Sequence, residues 1–545
     1  MHILLSFLLA ALSFGSPVHI PVELAGNFGE PRPNHFHGGI DVKTNREVNL
    51  GVYSIADGYI SGAVVQKHGY GLAIYVTHPN GYTSQYFHLN KFVPQVEAAV
   101  RKYQYNHHSY AVDVKFAPGE FPVRKGQLIA LSGNTGASKG PHIHIEYHET
   151  KTGNMTDPLN ALKGILKDKT PPAVYSFKVY PQAGEGVFQH SQSSRIFTFD
   201  KGHFLAWGKV GFGVRANDHM DDVYNSFGVR YTKLYCDNRL IFYSDVNNIP
   251  VTYNRMINSW GDYDHFISTH IWYLKSFIDP GNRLPILKAV GRGIINFNEP
   301  REYHLRYELS DVYGNTTIKK FTVLGNPEAI SHALKPKKGT TVYYNRYNNV
   351  YLEGCRVSIK RGLLANNGYV VGRRAMLPLA YSPAYSFSTK TYPLFGWTKI
   401  SIKLDKNIGS ATSKLYVAAL NGLNKGGAPM YCGGMYKDGW VTGRMRDLGL
   451  FYYLAIDNEA PHITEMSLNP RHLFFRIFDR GSGMKSYQAY VDDKFVLFSF
   501  GKNKEIIFCD LADTPIHSTG KEHTLKIIAT DNRDNERVFT TKVRY

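Results

Sequence analysis

GNTGASKGPHIHIEY, residues 133–147, decides how this chain is read. Two histidines, His142 and His144, stand two positions apart directly behind a glycine-rich turn. On a β-strand, residues i and i+2 face the same side, so both imidazoles are expected to point at one spot. An H-x-H pair by itself fits a solvated surface strand equally well, and the rest of the sequence has to choose.

Working outward, FPVRKGQLIALSG (residues 121–133) reads as a strand leading into that turn. Further upstream, GYGLAIYVTHPNGYTSQYFHL (69–89) alternates over Leu72, Ile74 and Val76 and turns at Pro79-Asn80-Gly81. It then alternates again over Tyr82, Ser84, Tyr86 and His88, which is the pattern of a β-hairpin with an Asn-Gly turn. Between the two stretches, Val96, Ala99 and Val100 recur at helical spacing in an otherwise irregular segment.

At 545 residues the chain is too long for one core, so several domains are expected. With 38 Tyr and 31 Phe and few long apolar-periodic helices, the composition favours an all-β architecture. The net charge of +19 suits work near anionic polymers such as cell wall. No basic-aromatic RNA-binding signature or recognition helix accompanies it, so nucleic acid is not expected as a partner. Residues 1–17, MHILLSFLLAALSFGSP, read as a secretory signal peptide, too short an apolar run to span a bilayer. No later segment is apolar enough to span. Cys236, Cys355, Cys432 and Cys509 are scattered and form no C-x-x-C, so free, buried thiols are expected.

After residue 165 the character changes. DKTPP (168–172) reads as a linker, and IDNEAPHI (456–463) as a second boundary. The segments after them resemble each other: LYCDNRLIFYS answers to AYVDDKFVLFS, and both close on an Asp-x-x-x-Asn turn before a final strand. The reading is therefore a domain at 18–165, a β-sandwich module at 170–325 with an insertion around 247–292, a β-rich module at 326–457, and a β-sandwich module at 458–545. Asp479-Arg480-Gly481-Ser482-Gly483 reads as a turn and not a calcium loop, because it lacks the string of acids.

The chemistry concentrates at the N-terminal end. In NFGEPRPNHFHGGIDVKT (27–44), His37 and Asp41 are separated by Gly-Gly-Ile, so a tight turn can fold the histidine beside the aspartate. Two histidines and a carboxylate would suit a catalytic Zn²⁺ with an open position, and no cysteine is near to close the set. His35, two residues away, competes with His37 for that role. Residues 136–149 fit the first cupin spacing, but 150–220 lack the second histidine segment, so the match is treated as chance; H-E-x-x-H is absent.

Four motifs in order resemble the lysostaphin-type zinc endopeptidases of peptidoglycan, built on the duplicated hybrid motif fold. Their H-x-G-x-D is matched by His37-Gly38-Gly39-Ile40-Asp41, Y-x-H-L by Tyr86-Phe87-His88-Leu89, and G-x-T-G-x-x-x-G-P-H-x-H by residues 133–144, approached by VRKGQLIALSG. The resemblance covers about a quarter of the chain. It implies that His37, Asp41 and His144 hold one Zn²⁺, which favours His37 over His35. It also implies that His88 and His142 are the two non-ligand catalytic histidines, one taking a proton and the other stabilising the oxyanion. The expected function is a secreted, zinc-dependent endopeptidase cutting peptidoglycan cross-links with a metal-activated water. The C-terminal modules are expected to be immunoglobulin-like and to bind wall or a protein partner. Similar multi-module proteins from Gram-negative Bacteroidota imply a periplasmic or wall-associated location. The competing readings are a non-catalytic or autoinhibited regulator of wall hydrolases, and a metallopeptidase acting on a secreted protein.

Overall fold

The computed structural model describes residues 14–545 apart from 222, 331–338, 407, 424–426 and 470. The apolar leader over 1–13 lies outside the described residues. Strands account for 48% of the chain and helix for 9%, the all-β balance that the aromatic and β-branched content predicts.

In the N-terminal domain the strands that matter are β1 (Leu24–Gly26), β2 (Gly39–Lys43), β3 (Gly58–Val65), β4 (Leu72–Thr77), β5 (Tyr82–Leu89), β6 (Val112–Lys115) and β7 (His142–Glu149). They form one sheet in the order β1-β2-β7-β5-β4-β3-β6. The predicted hairpin is β4–β5, closed at Thr77↔Thr83 with Gly81 at φ +86°. Ile40, Val42, Tyr86, Ile143 and Ile145 point to one side and build the core, so the alternating residues of β2 and β7 face the other way. The helical spacing in 90–104 becomes α1 (Pro94–His107), with Pro94 in its first turn, Val96 and Val100 buried, and a left-handed His108 at its end.

The two central strands leave little room. β2 pairs with β7 from His142↔Lys43 to Glu146↔Gly39, and a Cβ on Gly39 would lie 2.0 Å from the Ile145 carbonyl oxygen. Gly39→Ala is therefore expected to force the strands apart and cost ~1–3 kcal/mol, read as a fall in melting temperature.

Beyond residue 170, long strands Ala173–Phe188 and His203–Asn217 pair across a sheet around an aromatic core of Phe177, Phe188, Phe204, Phe212 and Phe321. The residues around 339–457 form two five-stranded sheets, and the last module two four-stranded sheets over Phe475, Val491, Ile507 and Ile527. The hairpins paired by the sequence repeat turn alike: Asp237 and Asn238 (φ +50° and +63°) and Asp492 and Asp493 (φ +46° and +62°) are left-handed at both central positions, as type I′ turns require. All four cysteines are free and buried, as expected, in three separate cores.

Contacts at both ends of the N-terminal domain tie the modules to it. The insertion at 247–292 folds into short helices whose Asn254 and Asn258 side chains accept hydrogen bonds from Phe36 N–H (2.6 Å) and Asn34 N–H (2.9 Å). Phe36 leaves its own domain's core and packs near Trp260, with ring centres 6.0 Å apart. The loop leading to His37 is thus braced by the neighbouring module. At the far end, α1 meets the last module: His108 stacks on Phe495 at 4.7 Å, and Arg101 donates to the Asp513 carbonyl at 2.8 Å.

Candidate metal centre

His142 and His144 do share one face of β7, and Glu146 and His148 continue it. Opposite them β2 delivers Asp41, directly paired with His144 in the ladder. The Gly38-Gly39 turn folds His37 onto the same spot. His37 Nε2 and His144 Nδ1 lie 3.1 and 2.7 Å from Asp41 Oδ1 and 2.9 Å from each other. His142 Nε2 lies 3.4 Å from the same oxygen.

His88 arrives by a different route from the one its spacing suggests. Alternation would put it on the core face with Tyr86. Instead the strand bulges at Phe87–His88, where two β5 residues oppose one on β4. His88 takes φ +62°, a left-handed conformation that costs a non-glycine residue ~1–2 kcal/mol. That twist throws the ring across the sheet to 4.9 Å from His142, centre to centre, and 6.0 Å from His144. All five residues singled out from the sequence therefore meet. His35 does not: it is exposed, with its ring beside the Pro33 carbonyl.

What fixes the chemistry is the outer nitrogen of each ring. His37 Nδ1 donates to the Asn27 carbonyl at 2.6 Å, His88 Nδ1 to Thr135 O at 2.9 Å, and His142 Nδ1 to Gly140 O at 2.8 Å. His144 Nε2 donates to buried Glu146 Oε1 at 3.1 Å, and His148 holds the other Glu146 oxygen at 2.6 Å. Each tie leaves the inner nitrogen as a lone pair. The inner nitrogens of His37 and His144 therefore confront a carboxylate oxygen, an arrangement that needs a positive charge between its members.

The protonation pattern shows that need. Burial lowers His37 to about 4. For Asp41, burial is outweighed by the three imidazoles gathered at its oxygen, those of His142, His144 and His37, which hold its carboxyl far below the usual range. Burial also opposes charge on His144, but Asp41 and Glu146 pull it up to about 9, so without a cation a proton sits on this ring. The donor set of two imidazole nitrogens and one carboxylate, all within 4.8 Å, fits a single N/O-liganded transition metal with an open position. Two Asp-only clusters, at Asp168/Asp218/Asp311 and Asp457/Asp479/Asp531, also come together among the described residues.

Three further residues take part that the sequence analysis did not single out. Glu146 and His148 were visible in the alternation of HIHIEYHE. Arg32, whose guanidinium lies 3.3 Å from Asp41 Oδ2, carries no spacing signal.

Parts of the chain are similar to known proteins. Residues 35–105 match Peptidase family M23, which covers His37, Asp41 and His88 and stops short of β7. Residues 339–457 match the Zu5-like domain. An uncharacterized metalloprotease of Haemophilus influenzae is 30% identical over 162 residues, 30% of this chain and 28% of that protein. The peptidoglycan DD-endopeptidase ShyB of Vibrio cholerae is 34% identical over 111 residues, 20% of each chain. The chain thus spans less than a third of the length of these curated relatives. Among solved structures, the catalytic domain of lysostaphin from Staphylococcus simulans is 23% identical, covering 26% of this chain and 92% of that one, with a TM-score of 0.20. The chain carries an N-terminal domain of Peptidase family M23, followed by β modules of which residues 339–457 are Zu5-like.

Proposed function

We propose that the chain is an exported zinc endopeptidase that hydrolyses peptide cross-links of bacterial peptidoglycan. One observation carries the reading: the lone pairs of His37 Nε2 and His144 Nδ1 converge on Asp41 Oδ1, with both outer nitrogens tied off. In this reading His37, Asp41 and His144 hold Zn²⁺, which when bound supplies Lewis acidity, bringing the pKa of a water toward ~7 and polarising a substrate carbonyl.

The remaining work belongs to His88 and His142. Both offer an unprotonated Nε2 to the centre, because both Nδ1 atoms are spent on carbonyls. Burial, reinforced by the neighbouring imidazoles of His142 and His144, keeps His88 neutral down to about pH 4. Either ring can accept the proton of an attacking water; once protonated, it donates to the oxyanion or the leaving amine. His88→Ala and His142→Ala are each expected to lower turnover ~10²–10³-fold while the purified protein keeps its metal. Metal analysis alongside the assay checks both.

The substrate class rests on the named activity of the Vibrio relative and on the basic surface, +19 overall, which suits an anionic wall polymer. Among the described residues no helix is long and apolar enough to cross a membrane.

The test is mass spectrometry of muropeptides from purified peptidoglycan. Samples are digested with the chain as isolated, after chelation, and after zinc is restored. Loss of cross-linked dimers in the zinc-containing samples alone supports the proposal, and the fragment masses name the bond. Unchanged muropeptides in a zinc-loaded sample overturn it in favour of a wall-hydrolase regulator or a peptidase for a secreted protein.

A further inference from the structure

The carboxyl groups of Asp168, Asp218 and Asp311 come within 4.8 Å of one another at the join between the peptidase domain and the first β module. They are 7%, 5% and 1% exposed. Asp168 sits in the connecting segment, Asp218 follows the strand His203–Asn217, and Asp311 opens the Asp-x-x-x-Asn turn that the sequence repeats. The turn itself accounts for Asp311: one oxygen accepts from the N–H groups of Tyr313, Gly314 and Asn315, the other from Asn315 Nδ2.

The other two acids are not accounted for. Asp168 Oδ2 and Asp218 Oδ1 are buried without a hydrogen-bond partner, and so is the phenol oxygen of Tyr313. All three residues line a small void of about 10 Å³, room for about one water-sized particle. Its other walls include Asn27, Asp157 and Arg230. Arg230 does not neutralise the trio, because its guanidinium is spent on Asp157 (2.8 Å) and Asp245 (2.7 Å). Two bare oxygens on two buried carboxylates, whose residues line one small void, would cost several kcal/mol if nothing partnered them.

We propose that Asp168, Asp218 and Asp311 form a binding site for a hard divalent cation of the calcium class, which locks the peptidase domain onto the first β module. The donors are all oxygen, which disfavours zinc and copper. Magnesium demands near-ideal octahedral geometry, whereas calcium tolerates an irregular set of oxygens. A proton is the rival occupant. Burial, with repulsion from Asp311 and Asp168, raises the Asp218 carboxyl to about 8, and burial with Asp311 raises Asp168 to about 6. The site also touches the metal centre: its wall residue Asn27 is the one whose carbonyl orients His37. Asp457, Asp479 and Asp531 repeat the arrangement at the next boundary, where Asn535 Nδ2 bonds Asp531 and the Asp457 carbonyl as Asn315 bonds Asp311 and the Asp168 carbonyl. The proposal is made for the first cluster, where the void and the bare oxygens coincide.

The test uses the full chain, stripped of metal and reloaded with zinc, near neutral pH. Calcium is expected to bind with a Kd of ~10⁻⁴–10⁻³ M, typical of extracellular modules. At ~10 mM it should raise the melting temperature by ~3–10 °C. Terbium used as a calcium substitute should show luminescence sensitised by Tyr313. Asp218→Asn is expected to abolish the calcium shift and lower the bound terbium by one ion per chain, while His144→Ala keeps both. Should Asp218→Asn fail to fold, Asp168→Asn is read in the same way. A wild-type melting temperature indifferent to calcium but rising as the pH falls would mean that protons fill the site, and would overturn the proposal. So would a full calcium response in both Asn variants.

Discussion

His144→Ala is expected to empty the metal centre and reduce hydrolysis by at least ~10³-fold, with bound zinc falling from one ion per chain to near zero. The loss exceeds that for His88 or His142 because His144 does two jobs. Its Nδ1 is one of three inward donors, and its Nε2 is one of two partners of Glu146, which is 5% exposed. Burial pushes Glu146 toward the neutral acid, yet His144 and His148 together hold it down at about 2. With His144 gone, one histidine is left to support a buried carboxylate. A lower melting temperature near neutral pH should accompany the lost activity. Glu146→Gln separates the two jobs: it keeps the ligand but loosens the ring, for an expected ~10–100-fold loss of metal affinity. Equilibrium dialysis against zinc distinguishes the variants.

The largest effect on stability is expected at Arg230→Ala, ~3–5 kcal/mol, seen as loss of the native fold at markedly lower denaturant concentration. Arg230 and Asp157 are 7% and 4% exposed and meet at 2.8 Å, with Asp245 on the guanidinium's other edge. Burial already drives the Asp157 carboxyl upward, with Arg230 the chief opposing influence. Removing the cation strands that carboxylate directly behind the strand Met155–Thr156, which pairs with β7. The damage should therefore reach the metal centre. Arg230→Lys should rescue poorly, since an ammonium cannot span both acids as the planar fork does. By contrast Arg476–Glu505, with side chains 47% and 42% exposed, should cost only ~0–1 kcal/mol when broken.

Much of the centre was legible because its residues obey local rules. H-x-x-x-D places His37 and Asp41 across one glycine turn, and H-x-H places two rings on one strand face. The hairpin around Asn80-Gly81 and both Asp-x-x-x-Asn turns were equally local. What escaped depends on long-range placement or on backbone exceptions. His88 reaches the centre only because of a bulge and a left-handed φ that alternation cannot foresee. The Asn27 carbonyl that orients His37 is main chain and leaves no residue-type signature. Asp479 lies in a stretch that is locally short of acids, yet the acids beside it come from Asp457 and Asp531, 22 and 52 positions away. The insertion at 247–292 was visible as an interruption of the repeat, but its role in bracing the His37 loop appears only in three dimensions.

The four buried thiols have a practical corollary. Burial raises Cys236, Cys355 and Cys509 to about 12 and Cys432 to about 11, so almost none is thiolate near neutrality. Alkylation of the native chain must then wait for a core to open, and each β module carries its own reporter while the peptidase domain carries none. Peptide mapping of a slow iodoacetamide reaction would rank the modules by how often each one breathes, without introducing a single label.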